Sequence, residues 1–186
     1  MIIRSATLSD APGMARVHVD SWRTTYAGIV ADEFLARLSY ARSEEMFRRF
    51  LAPGSPEGAG QCTFVATARD GQPEVGQIVG FAHGGPARTE IPGYSGELYA
   101  IYILREFQRR GIGRRLVRAV AESLARSGRD SMYVWVLAAN PSRRFYEALG
   151  GRLLRSQQIQ IGAQSLEEVA YGWQDIQALI DAASRA

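Results

Sequence analysis

The sequence predicts an α+β fold, a mixed class in which helices and a sheet are built from different stretches of the chain. Apolar residues recur at helical spacing within the first 51 residues. From residue 63 onward, short runs rich in β-branched and aromatic residues alternate with turns. A basic, glycine-bearing turn then joins one such strand to a long amphipathic helix. At 186 residues and 46% hydrophobic content, the chain is expected to form one domain, residues 1–186.

The first half is expected to begin with a short strand over Ile2–Thr7. Ser9 or Asp10 can cap the helix that follows, and Pro12 is tolerated in its first turn. Further along, the pattern predicts two helices, over about 32–38 and 43–51, followed by a loop over 53–60. Two strands, over 63–68 and 75–82, are expected to be joined by a turn at 69–73. An exposed loop over 84–96 follows them.

The second half is expected to alternate strands with helices. A strand over 97–104 leads through the glycine turn to a helix ending near Gly128, and Met132–Leu137 is apolar on both faces, as in a strand covered on both sides. The remaining elements are a short helix within 140–150 stopped by glycine, strands over 152–161 and 166–173 around Gly162, and a helix over 175–183.

The turn Gln108–Gly113 has the features of a phosphate site. The first N–H groups of a helix lack partners within the helix, and its dipole places positive charge there. Gly111 and Gly113 allow the main chain to approach an anion closely. Nearby arginines offer planar donors to phosphate oxygens: Arg109, Arg110, Arg114 and Arg115. A ligand carrying a diphosphate is predicted.

Two common glycine loops do not match this turn. A Walker A loop needs a lysine, and the chain contains none. A dinucleotide fingerprint needs a third glycine, but Gly113 is followed by Arg114 and Arg115. Gln108-x-x-Gly111-x-Gly113 after a strand instead resembles the acetyl-CoA pyrophosphate loop of the GNAT superfamily of N-acetyltransferases.

A second stretch carries the same resemblance. Asn140 followed by Phe145-Tyr-Glu-x-Leu-Gly150 is similar to the GNAT signature in which an asparagine leads a helix bearing a tyrosine beside the CoA sulfur. The likeness covers roughly residues 75–173, with one departure at Gly151, where members usually carry phenylalanine. It implies the GNAT fold, a mostly antiparallel twisted sheet of six to seven strands with a central splayed parallel pair, flanked by helices, and it implies acetyl-CoA as cofactor.

The resemblance also implies catalytic roles. Tyr146 would protonate the departing thiolate, or else merely pack between helix and sheet. Glu97 would be the general base for the amine, or else a glutamate at a solvated strand entrance. Strand alternation would put Glu97 on one face with Tyr99, Ile101 and Ile103. A backbone N–H near Ile101 to Ile103 would hold the oxyanion if the family's bulge is present.

Further residues are expected around the ligands. Asn140 would contact the pantetheine arm or orient Tyr146, or act only as a helix cap. The acceptor side is expected to include Trp22, Tyr26, Asp32, Glu33, His83 and Tyr94, because an aromatic wall with a carboxylate suits a cationic amine. The residues expected at the cofactor are Ile101, Tyr102, Ile103, Gln108, Arg109, Arg110, Gly111, Ile112, Gly113, Arg114, Asn140, Ser142 and Tyr146.

Composition narrows the remaining function classes. Six arginines fall between Arg105 and Arg118, but Phe107 is the one aromatic residue among them and gives no series of rings for base stacking, so nucleic-acid binding is not favoured. His18 and His83 lack metal-ligand spacing, and no metal is expected. The lone cysteine, Cys62, is expected in the core rather than as a nucleophile.

The predicted function is that of an N-acetyltransferase acting on an amine of a small molecule or peptide. Because no membrane span is expected, the protein is predicted to be cytoplasmic. The sequence leaves open a catalytically silent CoA-binding sensor or partner-binding module, and also a homodimer.

Overall fold

The structure, a computed structural model, describes residues 1–68 and 77–184. Its centre is a seven-stranded sheet in the order β1-β2-β3-β4-β5-β7-β6. Every neighbouring pair is antiparallel except β4 with β5, which confirms the predicted central parallel pair. The strands are β1 (Ile2–Ser5), β2 (Cys62–Thr67), β3 (Ile78–Pro86), β4 (Gly96–Ile103), β5 (Met132–Leu137), β6 (Arg152–Ile161) and β7 (Gln164–Trp173).

Helices cover both faces of this sheet. The two sides are distinguished by neighbouring residues of β3: His83 stacks on Phe50 of α3, whereas the backbone of Gly84 lies against Val120 of α4. Helix α1 packs with α3, and α4 packs with α6. The helices are α1 (Ala11–Thr25), α2 (Asp32–Ala36), α3 (Tyr40–Leu51), α4 (Ile112–Arg126), α5 (Arg143–Ala148) and α6 (Ile176–Ser184).

Helix α4 is fixed by the apolar stripe that the sequence predicted. Ile112, Leu116, Val117, Val120 and Leu124 are all at most 2% exposed. Burying a side chain of this size contributes roughly 1.5–3 kcal/mol relative to leaving it in water. The stripe therefore holds the N-terminus of α4 firmly against the strand that precedes it.

Two of the predicted boundaries that differ from the structure have a clear local cause. Strand β3 continues through Gly84–Pro86, within the predicted loop, because these residues pair with Gly96–Leu98 of β4. Helix α3 begins at Tyr40 rather than near residue 43, and the Ser39 side chain accepts a hydrogen bond from the Arg42 N–H at 3.4 Å. The predicted turn at 69–73 and the start of the strand predicted from residue 75 lie outside the described residues.

Within the two described ranges, no helix combines the length and apolar character needed to cross a bilayer.

Candidate active site

Strands β4 and β5 are neighbours only at their beginnings. The last pair that joins them is Leu98 with Val134. Beyond it, Ala100–Ile103 pairs with β3 alone and Trp135–Leu137 pairs with β7 alone. The two central strands therefore separate, and an opening lies between their C-terminal halves.

A β-bulge lies where the strands separate. Gly84 pairs with Leu98 and the preceding His83 pairs with Ala100, so Tyr99 is an extra residue on β4. A bulge of this kind bends the strand and interrupts the ladder. The bulge implied by the family resemblance is therefore present.

The bulge also changes which side chains share a face. Glu97 and Tyr99 line a cleft with Trp22 of α1. Ile103 lies on the other face, where its Cδ1 is 3.4 Å from the position a Cβ on Gly113 of α4 would take. The expectation that Glu97, Ile101 and Ile103 share a face is wrong, because the extra residue reverses the two-residue alternation that the expectation assumed.

The glycine turn presents unpaired backbone donors at the start of α4. Gly111 is the N-cap, with φ +74°, and Arg109 has φ +60°, a left-handed conformation that is uncommon for residues with a side chain. Within residues 1–68 and 77–184, the N–H groups of 109–114 make no hydrogen bond. Such a run of donors at a helix N-terminus suits an anion.

The arginines around this turn do not act as one cluster. Arg114 donates to the Ala182 carbonyl at 3.4 Å, and Arg115 donates to the Met1 carbonyl at 3.1 Å. Arg110 lies 5.3 Å from the centre of the Phe107 ring. The side chains of Arg109 and Arg110 are thus better placed for an anion than those of Arg114 and Arg115, and Arg114 reaches the turn through its backbone.

Two side-chain contacts connect the glycine turn to its surroundings. The Gln108 amide donates to the Ile103 carbonyl at 3.0 Å, which fixes the turn onto the end of β4. A Cβ on Gly113 would lie 3.2 Å from the Phe145 ring, so glycine here allows α4 and α5 to pack closely. The two segments that carried the family resemblance are therefore adjacent in space.

Tyrosines from three elements surround the opening. The Trp22 indole donates to the Tyr102 hydroxyl at 2.9 Å. Burial raises the pKa of Tyr26, Tyr102 and Tyr146, and the nearby Tyr26 raises the pKa of both Tyr102 and Tyr146 further. All three phenols therefore keep their protons at neutral pH.

The hydroxyl of Tyr146 is available to a ligand. Tyr146 is 6% exposed, and its ring packs near Tyr171 and Trp173. Its hydroxyl makes no hydrogen bond to any residue that the structure describes. The hydroxyl oxygen is not fully enclosed, so a ligand can reach it. A protonated phenol in this position is a ready hydrogen-bond donor.

Asn140 connects the turn before α5 to the tyrosines. Its Oδ1 accepts a hydrogen bond from the Ser142 N–H at 2.9 Å, within the turn that leads into α5. Its Nδ2 points to the Tyr26 hydroxyl at 3.5 Å. Asn140 therefore stabilises this turn without a ligand, but it is not the N-cap of α5, which is the exposed Ser142.

A cleft of about 380 Å³ lies on the α1 side of the opening. Its walls come from α1, the loop after β3, strands β4 and β5, and the β6–β7 hairpin. The lining residues are Trp22, Tyr26, Arg88, Thr89, Glu97, Tyr99, Trp135, Val136, Leu137, Gln157, Ile159, Ile161 and Glu168.

The buried Glu97 carboxylate lies in this cleft and pairs with the exposed guanidinium of Arg88. Its Oε1 accepts from the Arg88 guanidinium at 2.5 and 3.2 Å, and its Oε2 accepts from the Arg88 N–H at 2.9 Å. The Tyr133 hydroxyl is 3.0 Å from Oε2 and shares its single proton with the Thr89 carbonyl, 2.8 Å away. A carboxylate has about four acceptor positions, and neighbours occupy all of them here.

Other residues expected on the acceptor side lie elsewhere. His83 bonds the Thr63 hydroxyl at 2.8 Å in a separate pocket, and burial lowers its pKa to about 4. Tyr94 covers the backbone of Gly172. Asp32 and Glu33 are exposed on α2 and do not line the cleft.

Most of the cleft residues were not predicted from the sequence, and three of them carry a charge or a large ring: Arg88, Trp135 and Glu168. Glu168 had a detectable signal, because it interrupts the apolar face that Leu166 and Ala170 form on the same strand. Arg88 and Trp135 gave no comparable signal, since one lies in a loop and the other in a strand that is apolar on both faces.

Comparison with known proteins places the chain in a family. It is 42% identical over 177 residues, 95% of each chain, to YuaI of Bacillus subtilis (strain 168), described as an uncharacterized N-acetyltransferase. The chain belongs to the GNAT superfamily of N-acetyltransferases. A model of the FR47-like protein family matches residues 80–159, which include the bulge, the glycine turn and α5. As a member of this superfamily, the chain is an acyltransferase.

Solved structures agree with this fold. The PaiA N-acetyltransferase of Thermoplasma acidophilum, crystallised with coenzyme A, has a TM-score of 0.67 at 21% identity, covering 90% of this chain and 96% of its own. A ribosomal-protein-alanine N-acetyltransferase from Brucella melitensis also scores 0.67, at 23% identity, covering 93% and 99%. At these identities the likeness establishes the fold and leaves the acceptor unspecified.

Proposed function

We propose that the GNAT chain moves the acetyl group of acetyl-CoA to a primary amine of a small molecule or peptide, by direct transfer in a ternary complex. The observation that supports this most is the opening between β4 and β5. Unpaired N–H groups of the glycine turn lie at one end of it, and the acceptor cleft lies on its α1 side. Donor and acceptor can therefore meet without a covalent enzyme intermediate.

The residues at the turn fit the diphosphate of acetyl-CoA. The N–H groups of 109–114 and the guanidinium groups of Arg109 and Arg110 would hold it, and the left-handed Gly111 keeps these donors on one side. When bound, acetyl-CoA supplies an activated acetyl group as a thioester.

Two groups of the chain would assist the transfer. One backbone N–H between Ile101 and Ile103 would stabilise the negative charge that develops on the acetyl oxygen, because β4 has no partner strand on its β5 side there. The Tyr146 hydroxyl would donate a proton to the departing thiolate, since its raised pKa keeps it protonated. Asn140 supports this region through Tyr26.

Glu97 can act as general base only when one of its acceptor positions is free. To accept a proton from an amine it must release one of its contacts with Arg88 or Tyr133. The amine can also lose its proton to water in the open cleft, in which case Glu97 positions Arg88 and Tyr133.

Two measurements test this function in turn. Thermal unfolding with and without acetyl-CoA tests donor binding: a ligand at 100 times its Kd stabilises by about 2.7 kcal/mol, and no rise in Tm at hundreds of micromolar contradicts the assignment. Thiol release from acetyl-CoA is then followed with polyamines, aminoglycosides, amino acids and N-terminal peptides. Tight donor binding with no release for any amine would favour the silent CoA-binding sensor.

A further inference from the structure

We propose that Glu168 binds the amine group of the acceptor, and that this enzyme selects acceptors that enter the cleft as cations. The inference rests on the proposed function and assigns the acceptor end of the same site. It follows from a comparison of the two buried carboxylates that line the cleft.

The two carboxylates differ in how many of their acceptor positions are occupied. Glu97 accepts three hydrogen bonds from Arg88 and lies against the Tyr133 hydroxyl. Glu168 accepts one hydrogen bond, from the Gln157 amide to Oε1 at 2.7 Å. Its Oε2 has no partner among residues 1–68 and 77–184. Glu168 is therefore the cleft carboxylate that can receive N–H donors without losing a contact.

Glu168 has no cationic partner within the part of the chain that the structure describes. It is 8% exposed, and its hydrogen-bond partner Gln157 is neutral. No arginine or histidine in the described part of the chain forms an ion pair with it. Burying a carboxylate without a cation is costly, so a bound cation would stabilise this position.

The strand register places Glu168 beside the reaction centre. It pairs with Leu137 on β5 and with Gln157 on β6. Leu137 lies beyond Val134, the last residue of β5 that pairs with β4. Glu168 is thus one strand away from the opening, at the level where β4 and β5 have already separated.

The rest of the cleft favours a cation as well. Arg88 and Glu97 neutralise one another, so Glu168 leaves the lining with one net negative charge. Trp22 and Tyr26 supply aromatic faces, which attract ammonium groups at close range, whereas the Trp135 ring already lies under the Arg155 guanidinium, 5.5 Å from its centre. A cationic amine gains from both features, whereas an acceptor with a carboxylate next to its amine meets repulsion from Glu168.

Glu168→Gln is the test variant, and Glu167→Gln is its matched control. Glu167 is the exposed neighbour on the same strand, so both variants remove one negative charge from β7. Binding of spermidine, phenethylamine and glutamate is measured by calorimetry with CoA present, and acetylation of the same amines is followed by thiol release. CoA affinity is measured for all three proteins.

For Glu168→Gln we expect roughly tenfold to hundredfold weaker binding of spermidine or phenethylamine, and a matching rise in KM. Glu167→Gln should match the wild type, and CoA affinity should stay unchanged in both variants. The inference is overturned if the wild type and Glu168→Gln bind the amines equally well, or if neither of them binds an amine. If the wild type does not bind CoA, the proposed function itself is refuted, so the two failures are distinguishable.

Discussion

Arg88 and Glu97 form an ion pair across the rim of the cleft, with the Arg88 side chain 59% exposed and the Glu97 side chain 2% exposed. The guanidinium also lies 4.1 Å from the centre of the Tyr99 ring, the residue at the bulge. The pair therefore ties the loop after β3 to the point where β4 leaves β5. It restrains the bulge and neutralises a buried charge at the same time.

Replacing Arg88 with glutamine should lower the free energy of unfolding by about 1–3 kcal/mol. The variant leaves Glu97 buried without its cation, but the exposure of Arg88 makes the loss smaller than for a fully buried pair. The double variant Arg88→Gln/Glu97→Gln should recover part of this loss because no unpaired charge remains. Urea unfolding of the single and double variants measures both effects.

The control for this experiment is Arg118→Gln on α4. Arg118 pairs with Glu122 at 2.7 Å on the helix surface, where such pairs contribute about 0.3–0.5 kcal/mol. If Arg88→Gln costs no more than Arg118→Gln, the cleft pair does not stabilise the bulge.

Replacing Tyr146 with phenylalanine should reduce kcat roughly tenfold to hundredfold while CoA affinity and Tm stay close to the wild type. The variant keeps the packed ring and removes only the proton donor. Tyr171→Phe is the matched control, because Tyr171 stacks on Tyr146 but its hydroxyl donates to Glu147 at 2.6 Å. Equal kcat values for the two variants would remove the proton-donor role from Tyr146.

Local patterns predicted most of the fold, including the strand, glycine turn and helix at which the cofactor is proposed to bind. The bounds of β5 and β6 match the prediction residue by residue, because each strand is bordered by clear turn signals. The apolar stripe of α4 was predicted for the same reason. Both depend on residues close in sequence, and sequence patterns report such relationships directly.

The cleft proposed for the acceptor is formed by segments that are distant in sequence. Fewer of its features could therefore be predicted from the sequence. No local pattern shows that Tyr99 is an extra residue, so the alternation beyond it was assigned to the wrong face. The pairing of Arg88 with Glu97 and the position of the β6–β7 hairpin are likewise tertiary. Trp22 and Tyr26 were predicted for the acceptor side and do line the cleft, whereas His83 and Tyr94 lie outside it.

Replacing Gly111 with leucine should weaken CoA binding by roughly tenfold or more, whereas Gly128→Leu should leave it unchanged. Both glycines have φ near +75°, and neither has an atom within 4 Å of the position that a Cβ would take, so both variants carry the same backbone cost of about 1–2 kcal/mol. They differ in location, because Gly111 precedes α4 and Gly128 follows it. Calorimetry with CoA compares them, and equal affinities would place the anion elsewhere.

Lowering the pH from 6.5 to 4 should destabilise the fold through two histidines. Burial is the main reason that the pKa of His18 and of His83 falls from 6.5 to about 4, and Arg88 contributes to the lowered pKa of His83. In this window the unfolded chain binds more protons than the folded chain, so stability rises with pH and is lost as the pH falls. The expected loss is on the order of 1–3 kcal/mol for each histidine, complete near pH 4.

Urea unfolding at pH 7 and pH 5 measures this effect in the wild type, His18→Gln and His83→Gln. Each variant removes one group that must stay neutral, so each should show a smaller difference in unfolding free energy between the two pH values. His18 lies beside Ser43 at 3.1 Å and among the rings of Trp22, Phe47 and Tyr102, where a charge would be poorly solvated. A wild type equally stable at both pH values would mean that both rings can be protonated without opening the core.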